Sequence, residues 1–141
     1  MLGFGIIGYG FMGHVHANML KDFPGIRLAV CDRDPEQLYG VPEGVSAYTS
    51  DEALVRDPAV DVVLIAANND QHLRLALMAA EAGKHVLCEK PVALSVEDFD
   101  AMAAACERAG VTFTVHQQRR FDRDYRVSKR VFEEGSLGKV Y

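Results

Sequence analysis

The chain has 141 residues, enough for one domain with a substantial core, and its 49% hydrophobic and 25% charged residues fit a folded globular protein rather than a disordered one. A formal net charge of -5 argues against generic binding to nucleic acid or anionic membranes. No apolar run reaches bilayer length, the first residues lack a basic leader, and Cys31, Cys88 and Cys106 lack metal-type spacing and read as buried, reduced thiols, so a cytoplasmic location is expected.

Residues 2–7 form an apolar strand that runs straight into Gly8-Tyr9-Gly10-Phe11-Met12-Gly13. A strand-to-helix turn that receives a pyrophosphate must reverse tightly, admit the ligand to the backbone, and seat its helix on the sheet. Those tasks fall to Gly8, Gly10 and Gly13, with Tyr9, Phe11 and Met12 completing the cofactor-binding loop. The helix that follows, carrying Val15, Met19 and Leu20, presents free N–H groups and a positive dipole end to an anion. A glycine-rich turn without a ligand is the competing reading. Residues 27–31 make a second strand, and Asp32 follows it where an acid holds the adenosine ribose hydroxyls. A negative charge about 4 Å from another costs about 4 kcal/mol at an effective dielectric near 20, so Asp32 favours NAD over NADP. Arg33 keeps NADP open, because its guanidinium can bind a 2'-phosphate or lie over the adenine ring. An Asp that only initiates the Asp32-Arg33-Asp34-Pro35 turn is the plainer alternative.

Asp34 and Pro35 are a helix-start signal, as N-cap and first helical residue. Residues 45–48 make a short third strand, and Thr49 with Glu52 has capping-box spacing for a brief helix through Val55. Residues 60–66 form a continuous apolar strand of the fully buried type. A helix is predicted over 70–82, terminated by Gly83. The next strand is 85–88. Ser95 and Asp98 then open a helix with Phe99, Met102, Ala103 and Cys106 on one face, ending at Gly110. A sixth strand over 111–115 and a last helix over 124–134, with Gly135 beyond it, complete the alternation.

Strands alternating with helices predict an α/β fold, a Rossmann-type doubly wound and mostly parallel sheet with helices on both faces, over residues 1–120. Residues 138–141 look like the start of another strand. Residues 121–141 are therefore expected to lead into a second domain beyond Tyr141.

Glu89-Lys90-Pro91 lies at the carboxyl end of an inner strand, where open parallel sheets place their ligand crevice. Successive strand side chains point to opposite faces, so one of Glu89 and Lys90 can face the crevice while the other anchors the backbone. A lysine beside a nicotinamide can donate a hydrogen bond to a substrate oxygen and stabilise developing alkoxide charge. An ordinary charged surface loop is the alternative. His16 reads as a structural histidine behind the glycine loop, and His72 as a positional candidate beside the crevice. His116 and Gln117 leave the sixth strand at the crevice end, while Arg119 and Arg120 read equally as anion ligands or solvated charges. No metal-ligand spacing and no nucleophile-elbow serine are present.

Gly8 to Gly13 with His16, then Asn69 and His72, then Gly83-Lys84-His85-Val86-Leu87-Cys88-Glu89-Lys90-Pro91, and His116-Gln117-Gln118-Arg119-Arg120-Phe121-Asp122, together resemble the glucose-fructose oxidoreductase, inositol dehydrogenase and MocA (Gfo/Idh/MocA) family. The resemblance implies an amino-terminal Rossmann domain and a carboxyl-terminal α+β substrate domain that commonly mediates homo-oligomerisation. It implies NAD, with NADP possible, as cofactor, and a polyol, sugar or related carbonyl compound as substrate. Lys90 then matches the active-site lysine, and Ala67, Asn69, Glu89 and Gln117 fall on the nicotinamide side. The chain has Ala67-Asn68-Asn69 where members often have threonine and proline ahead of the asparagine, which loosens the assignment of Asn69. The proton-transfer partners of the family lie in the second domain, so little turnover is expected of this chain alone. A non-catalytic NAD(H)-binding or sensing module and a methyltransferase-like nucleotide fold are the other readings.

Overall fold

The computed structural model describes residues 1–139. The chain runs through β1 (Leu2–Ile7), α1 (Phe11–Leu20), β2 (Ile26–Cys31), β3 (Ser46–Tyr48), α2 (Asp51–Arg56), β4 (Val62–Ile65), α3 (His72–Glu81), β5 (His85–Cys88), α4 (Val96–Ala109), β6 (Phe113–Val115) and α5 (Arg123–Glu133). Short 3-10 turns cover Pro35–Leu38, Asn69–Gln71 and Gln118–Phe121. All strand pairs are parallel, in the order β3-β2-β1-β4-β5-β6. The order reverses between β1 and β4, and at their carboxyl ends the two connections leave in opposite directions and open a crevice.

Strand alternation sends neighbouring apolar residues to two different cores. Ile7, Cys31, Val63 and Ile65 pack under α2, α3 and α4 with Leu54, Leu75 and Met102. Ile6, Val30 and Leu64 pack on the opposite face with Leu28 and Ala17 of α1. Because both faces are covered, these strands are apolar at successive positions rather than at every second one.

Apart from the strand start expected at 138, the expected elements form among the described residues, with shifted ends. Asp34 caps the Pro35 turn, its carboxylate accepting from Glu36 N–H at 3.0 Å. Ser95 caps α4 by accepting from Asp98 N–H at 3.1 Å, and Gly110 ends it at φ 68°. At α2 the cap is Ser50 rather than Thr49. Ser50 has extended backbone and accepts from Ala53 N–H at 3.3 Å, while its hydroxyl donates to Glu52 at 2.9 Å. β4 is shorter than expected because Asp57 folds residues 57–60 into a turn, accepting from Ala59 N–H at 2.8 Å. β6 starts late because Val111 N–H is spent on Cys106 O at 3.0 Å, closing the end of α4. The predicted 70–82 helix opens as the Asn69–Gln71 turn and is α-helical only from His72.

Buried faces differ in two helices. In α4 the stripe is Met102, Ala105 and Cys106, while Phe99 is 38% exposed and rests its ring 5.8 Å from that of Phe113. In α1 the buried residues are Gly13, His16 and Ala17, and Met19 is exposed. α5 begins at Arg123 and buries no residue, leaving Phe132 exposed beside a half-buried Val131. Gly138 has a φ of 68°, and the rest of the strand start expected over 138–141, Val140 and Tyr141, lies outside the described residues. Among the described residues no helix is long and apolar enough to cross a membrane.

Candidate cofactor cleft

The glycine turn is built by three different steric demands. Gly8 has a φ of 93°, and a Cβ there would stand 2.6 Å from Ala67 N. A Cβ on Gly13 would run into the carbonyl oxygen of Gly8, which is how closely α1 lies on the turn. Gly10 is the opposite case, because nothing stands within 4 Å of where its Cβ would be. That open space lies at the N-terminus of α1, which has no side-chain cap and no acid in its first turn. Unpaired N–H groups facing a void of this kind fit a pyrophosphate. Of the residues between the glycines, Phe11 is 83% exposed, Met12 is half-buried, and Tyr9 is buried with its ring 4.0 Å from that of His14. Tyr9 therefore serves the loop through its backbone and the core through its side chain.

Asp32 forms the turn that the sequence predicts and adds a tie to the glycine loop. Its Oδ1 accepts from Asp34 N–H at 3.0 Å, shaping the turn, and its Oδ2 accepts from Tyr9 N–H at 2.8 Å, tying the end of β2 to the glycine loop. It also lines a crevice of about 340 Å³ shared with Gly8, Gly10, Ala67, Asn68 and Gln71. Asn68, not Asn69, faces this crevice. Asn69 is exposed at the start of the 3-10 turn. Arg33 does not stand free. It donates through Nε (3.2 Å) and Nη2 (2.8 Å) to the buried Asp51, which also receives Arg74 Nη2 at 2.6 Å. Burial alone pushes the Asp51 carboxyl up, but hydrogen bonds from Arg74 and Arg33 outweigh it and hold the group below its usual range.

Glu89 and Lys90 divide their work just beyond the end of β5 at Cys88. Glu89 is buried, and its Oε1 accepts from His16 Nε2 at 2.7 Å and His116 Nδ1 at 2.9 Å. Its Oε2 accepts from Lys90 N–H at 3.1 Å. Glu89 is thus the anchor, joining α1, β5 and β6 behind the cleft, and Lys90 is exposed at the carboxyl end of β5, where the Lys90–Pro91 peptide is cis. Burial raises the Glu89 pKa, yet the bonds from His16, His116 and Lys90 N–H prevail and hold it below the ordinary carboxylate value. An ionised carboxylate only accepts, so both imidazole nitrogens facing it carry protons. His16, Glu89 and His116 have ligand atoms within 4.8 Å of one another, drawn together by the two hydrogen bonds to Oε1.

His72 is 1% exposed and spends its ring on the backbone, with Nδ1 3.2 Å from Val92 O and Nε2 3.0 Å from Ala67 O. It links the end of β4 to the loop after Lys90 and presents no free ring nitrogen to the crevice. Gln117 is exposed just beyond β6, and Arg119 pairs with Asp122 at 2.8 Å on the surface. The three cysteines are buried and free, and burial pushes the Cys31 and Cys88 thiols up to about 12, so neither is a nucleophile near neutral pH. Asp51, Gln71 and Arg74 escape a sequence reading. The spacing of Gln71 and Arg74, three apart on one helical face, is the only signal they carry.

The Glu89 network gives a pH prediction. A carboxylate with a depressed folded pKa contributes stability that is complete above its unfolded value, near 4.3, and is lost as pH falls through the folded value. Glu89→Gln keeps the shape and one acceptor oxygen for the two histidines but removes the charge and replaces the acceptor of the Lys90 N–H bond by an NH2 donor. Its unfolding free energy at pH 7 is expected to fall by about 2 kcal/mol, and the gap to the parent should shrink below about pH 4. Denaturant titrations at both pH values measure this. A deficit that is the same at both would refute an ionic role.

Residues 2–117 match a family described as an oxidoreductase family with an NAD-binding Rossmann fold. The chain is 37% identical over 141 residues to myo-inositol 2-dehydrogenase of Thermotoga maritima, a match spanning 97% of this chain and 42% of that protein. It is 32% identical to the 2,7-anhydro-N-acetylneuraminate hydratase of Escherichia coli, over 99% of this chain and 38% of the relative. Among solved structures, scyllo-inositol dehydrogenase of Lactobacillus casei, with bound NAD(H) and scyllo-inositol, superposes with a TM-score of 0.89 at 28% identity, covering 99% of this chain and 43% of that one. The chain therefore spans about two-fifths of the length of these proteins.

Proposed function

The chain belongs to the Gfo/Idh/MocA oxidoreductase family through its NAD-binding Rossmann domain, and from that premise we propose that the intact protein moves a hydride between nicotinamide and a hydroxyl or carbonyl of a sugar, inositol or related small molecule. The observation that carries this reading is the placement of the open cradle at Gly10 and the exposed Lys90 at the carboxyl ends of β1 and β5, along one edge of the parallel sheet. When bound, the dinucleotide supplies or accepts the hydride. The chain's own groups do the rest.

Gly8, Gly10 and Gly13 leave room for the pyrophosphate, and the first N–H groups of α1 hold it. Asp32 takes the adenosine ribose hydroxyls and disfavours a 2'-phosphate. Lys90 donates a hydrogen bond to the reacting oxygen and stabilises its charge as the bond order changes. Glu89 acts behind Lys90, fixing its backbone through the 3.1 Å bond from Lys90 N–H. The reduced, buried cysteines support a cytoplasmic setting, and the family resemblance supports a homo-oligomer for the intact protein.

The test follows NADH absorbance while the intact protein is offered a panel of inositols, aldoses and uronates with NAD. Substrate-dependent NADH formation is expected. The similarity to a hydratase makes product analysis informative: conversion of a sugar with no net change in NADH would replace net oxidation by hydration. NADH binding without turnover of any panel member would favour a sensing module instead.

A further inference from the structure

Asp51 is a buried carboxylate placed between two guanidinium groups on the wall of the adenosine crevice. It is the first residue of α2, is 4% exposed, and lines the crevice with Arg33, Arg74 and Gln71. A single oxygen, Oδ2, receives Arg33 Nε and Nη2 together with Arg74 Nη2. The other oxygen meets the Cys31 thiol at 3.7 Å. Arg74 is further fixed by Nε donating to Gln71 Oε1 at 3.2 Å.

The orientation of Arg33 matters more than its charge. A guanidinium grips a phosphate through one edge of its planar fork, two parallel N–H groups side by side. In Arg33 the edge formed by Nε and Nη2 is turned onto Asp51, even though the side chain is 60% exposed and otherwise free to swing toward the ribose. Asp32, directly before it in sequence, lines the same crevice, where the proposed function sets the adenosine ribose. Asp51 therefore draws the two guanidinium groups of this crevice, Arg33 and Arg74, onto its own Oδ2 and away from offsetting the repulsion that Asp32 exerts on a 2'-phosphate.

We propose that Asp51 is a specificity-determining residue for the cofactor, favouring NAD over NADP by holding Arg33, and with it Arg74, away from the 2'-position. The proposal rests on the dinucleotide reading of the crevice. Asp32 supplies the repulsion, and Asp51 prevents its relief.

The test is calorimetric titration of the full chain with NADH and with NADPH, for the parent, Asp51→Asn, Arg33→Met and the Asp51→Asn/Arg33→Met pair. Asn keeps the shape and one acceptor but releases the charge that orients the two forks. Asp51→Asn is expected to raise NADPH affinity relative to NADH by roughly tenfold, and the added Arg33→Met to cancel that gain. Arg33→Met alone, a change on a largely exposed side chain, should leave the NADPH to NADH ratio within about twofold of the parent. A folded Asp51→Asn variant with an unchanged ratio would overturn the proposal. So would a ratio in Arg33→Met that falls by more than about fivefold against NADPH, because Arg33 would then already serve the phosphate. If Asp51→Asn does not fold, the Arg33→Met ratio decides the matter by itself. A parent that binds neither dinucleotide would defeat the cofactor reading, an outcome distinct from an unmoved ratio.

Discussion

Lys90→Met in the intact enzyme is expected to lower kcat by about 100-fold to 10,000-fold while the NADH dissociation constant stays within about twofold. Methionine keeps most of the length and apolar body of the lysine stem but offers no donor and no charge to an oxygen whose charge grows along the reaction. The substitution leaves the support behind it intact. Glu89 bonds only to the backbone N–H of residue 90, and its other partners are His16 and His116. Lys90 is exposed, so no packing is lost from the core. Steady-state kinetics paired with NADH titration separates the two parameters. Turnover equal to the parent's would remove Lys90 from the reaction, whereas a matched loss of NADH affinity would make it a cofactor ligand only.

Gly10→Val and Gly13→Ala should fail in different ways, although both alter the same loop. Gly10 has a φ of -77°, which any L residue adopts, and its Cβ would meet no atom within 4 Å. Gly10→Val is therefore expected to keep its unfolding free energy within about 0.5 kcal/mol of the parent. Its side chain would nevertheless fill the space assigned to the pyrophosphate, and NADH affinity should fall on the order of 100-fold. Gly13→Ala adds one methyl group against the Gly8 carbonyl, and the backbone of the turn cannot yield as a side chain would. It should cost about 1–3 kcal/mol of stability, with binding lost as the turn is displaced. Chemical denaturation and NADH titration of both variants read the two effects separately. A stable Gly10→Val that binds NADH as the parent does would show that the ligand does not approach there.

The sheet and the glycine turn were legible in the sequence because their causes are local. Successive apolar residues at positions 28–31 and 62–65 are what a strand buried on both faces requires. Asp34-Pro35 and Ser95 with Asp98 announce caps because a cap is satisfied within two or three residues. The misplaced cap at Thr49 has the same origin. Thr49 and Ser50 are both competent oxygen acceptors one residue apart, and only the backbone path out of β3 selects Ser50.

Amino-acid order alone determined that a tight, side-chain-free turn joins the first strand to the first helix, and that Glu89 and Lys90 follow directly on an inner strand of the sheet. Steric exclusion and the apolar patterning of a buried strand act over a few residues and leave little choice. Only the tertiary structure decided which of the two is the anchor, since Glu89 finds its partners 73 residues back at His16 and 27 residues ahead at His116. It likewise turned the Nε/Nη2 edge of Arg33 onto Asp51, 18 residues away. A buried carboxylate must gather whatever donors the packing brings to it, and that packing is set by how β2, α2 and α3 meet rather than by spacing along the chain.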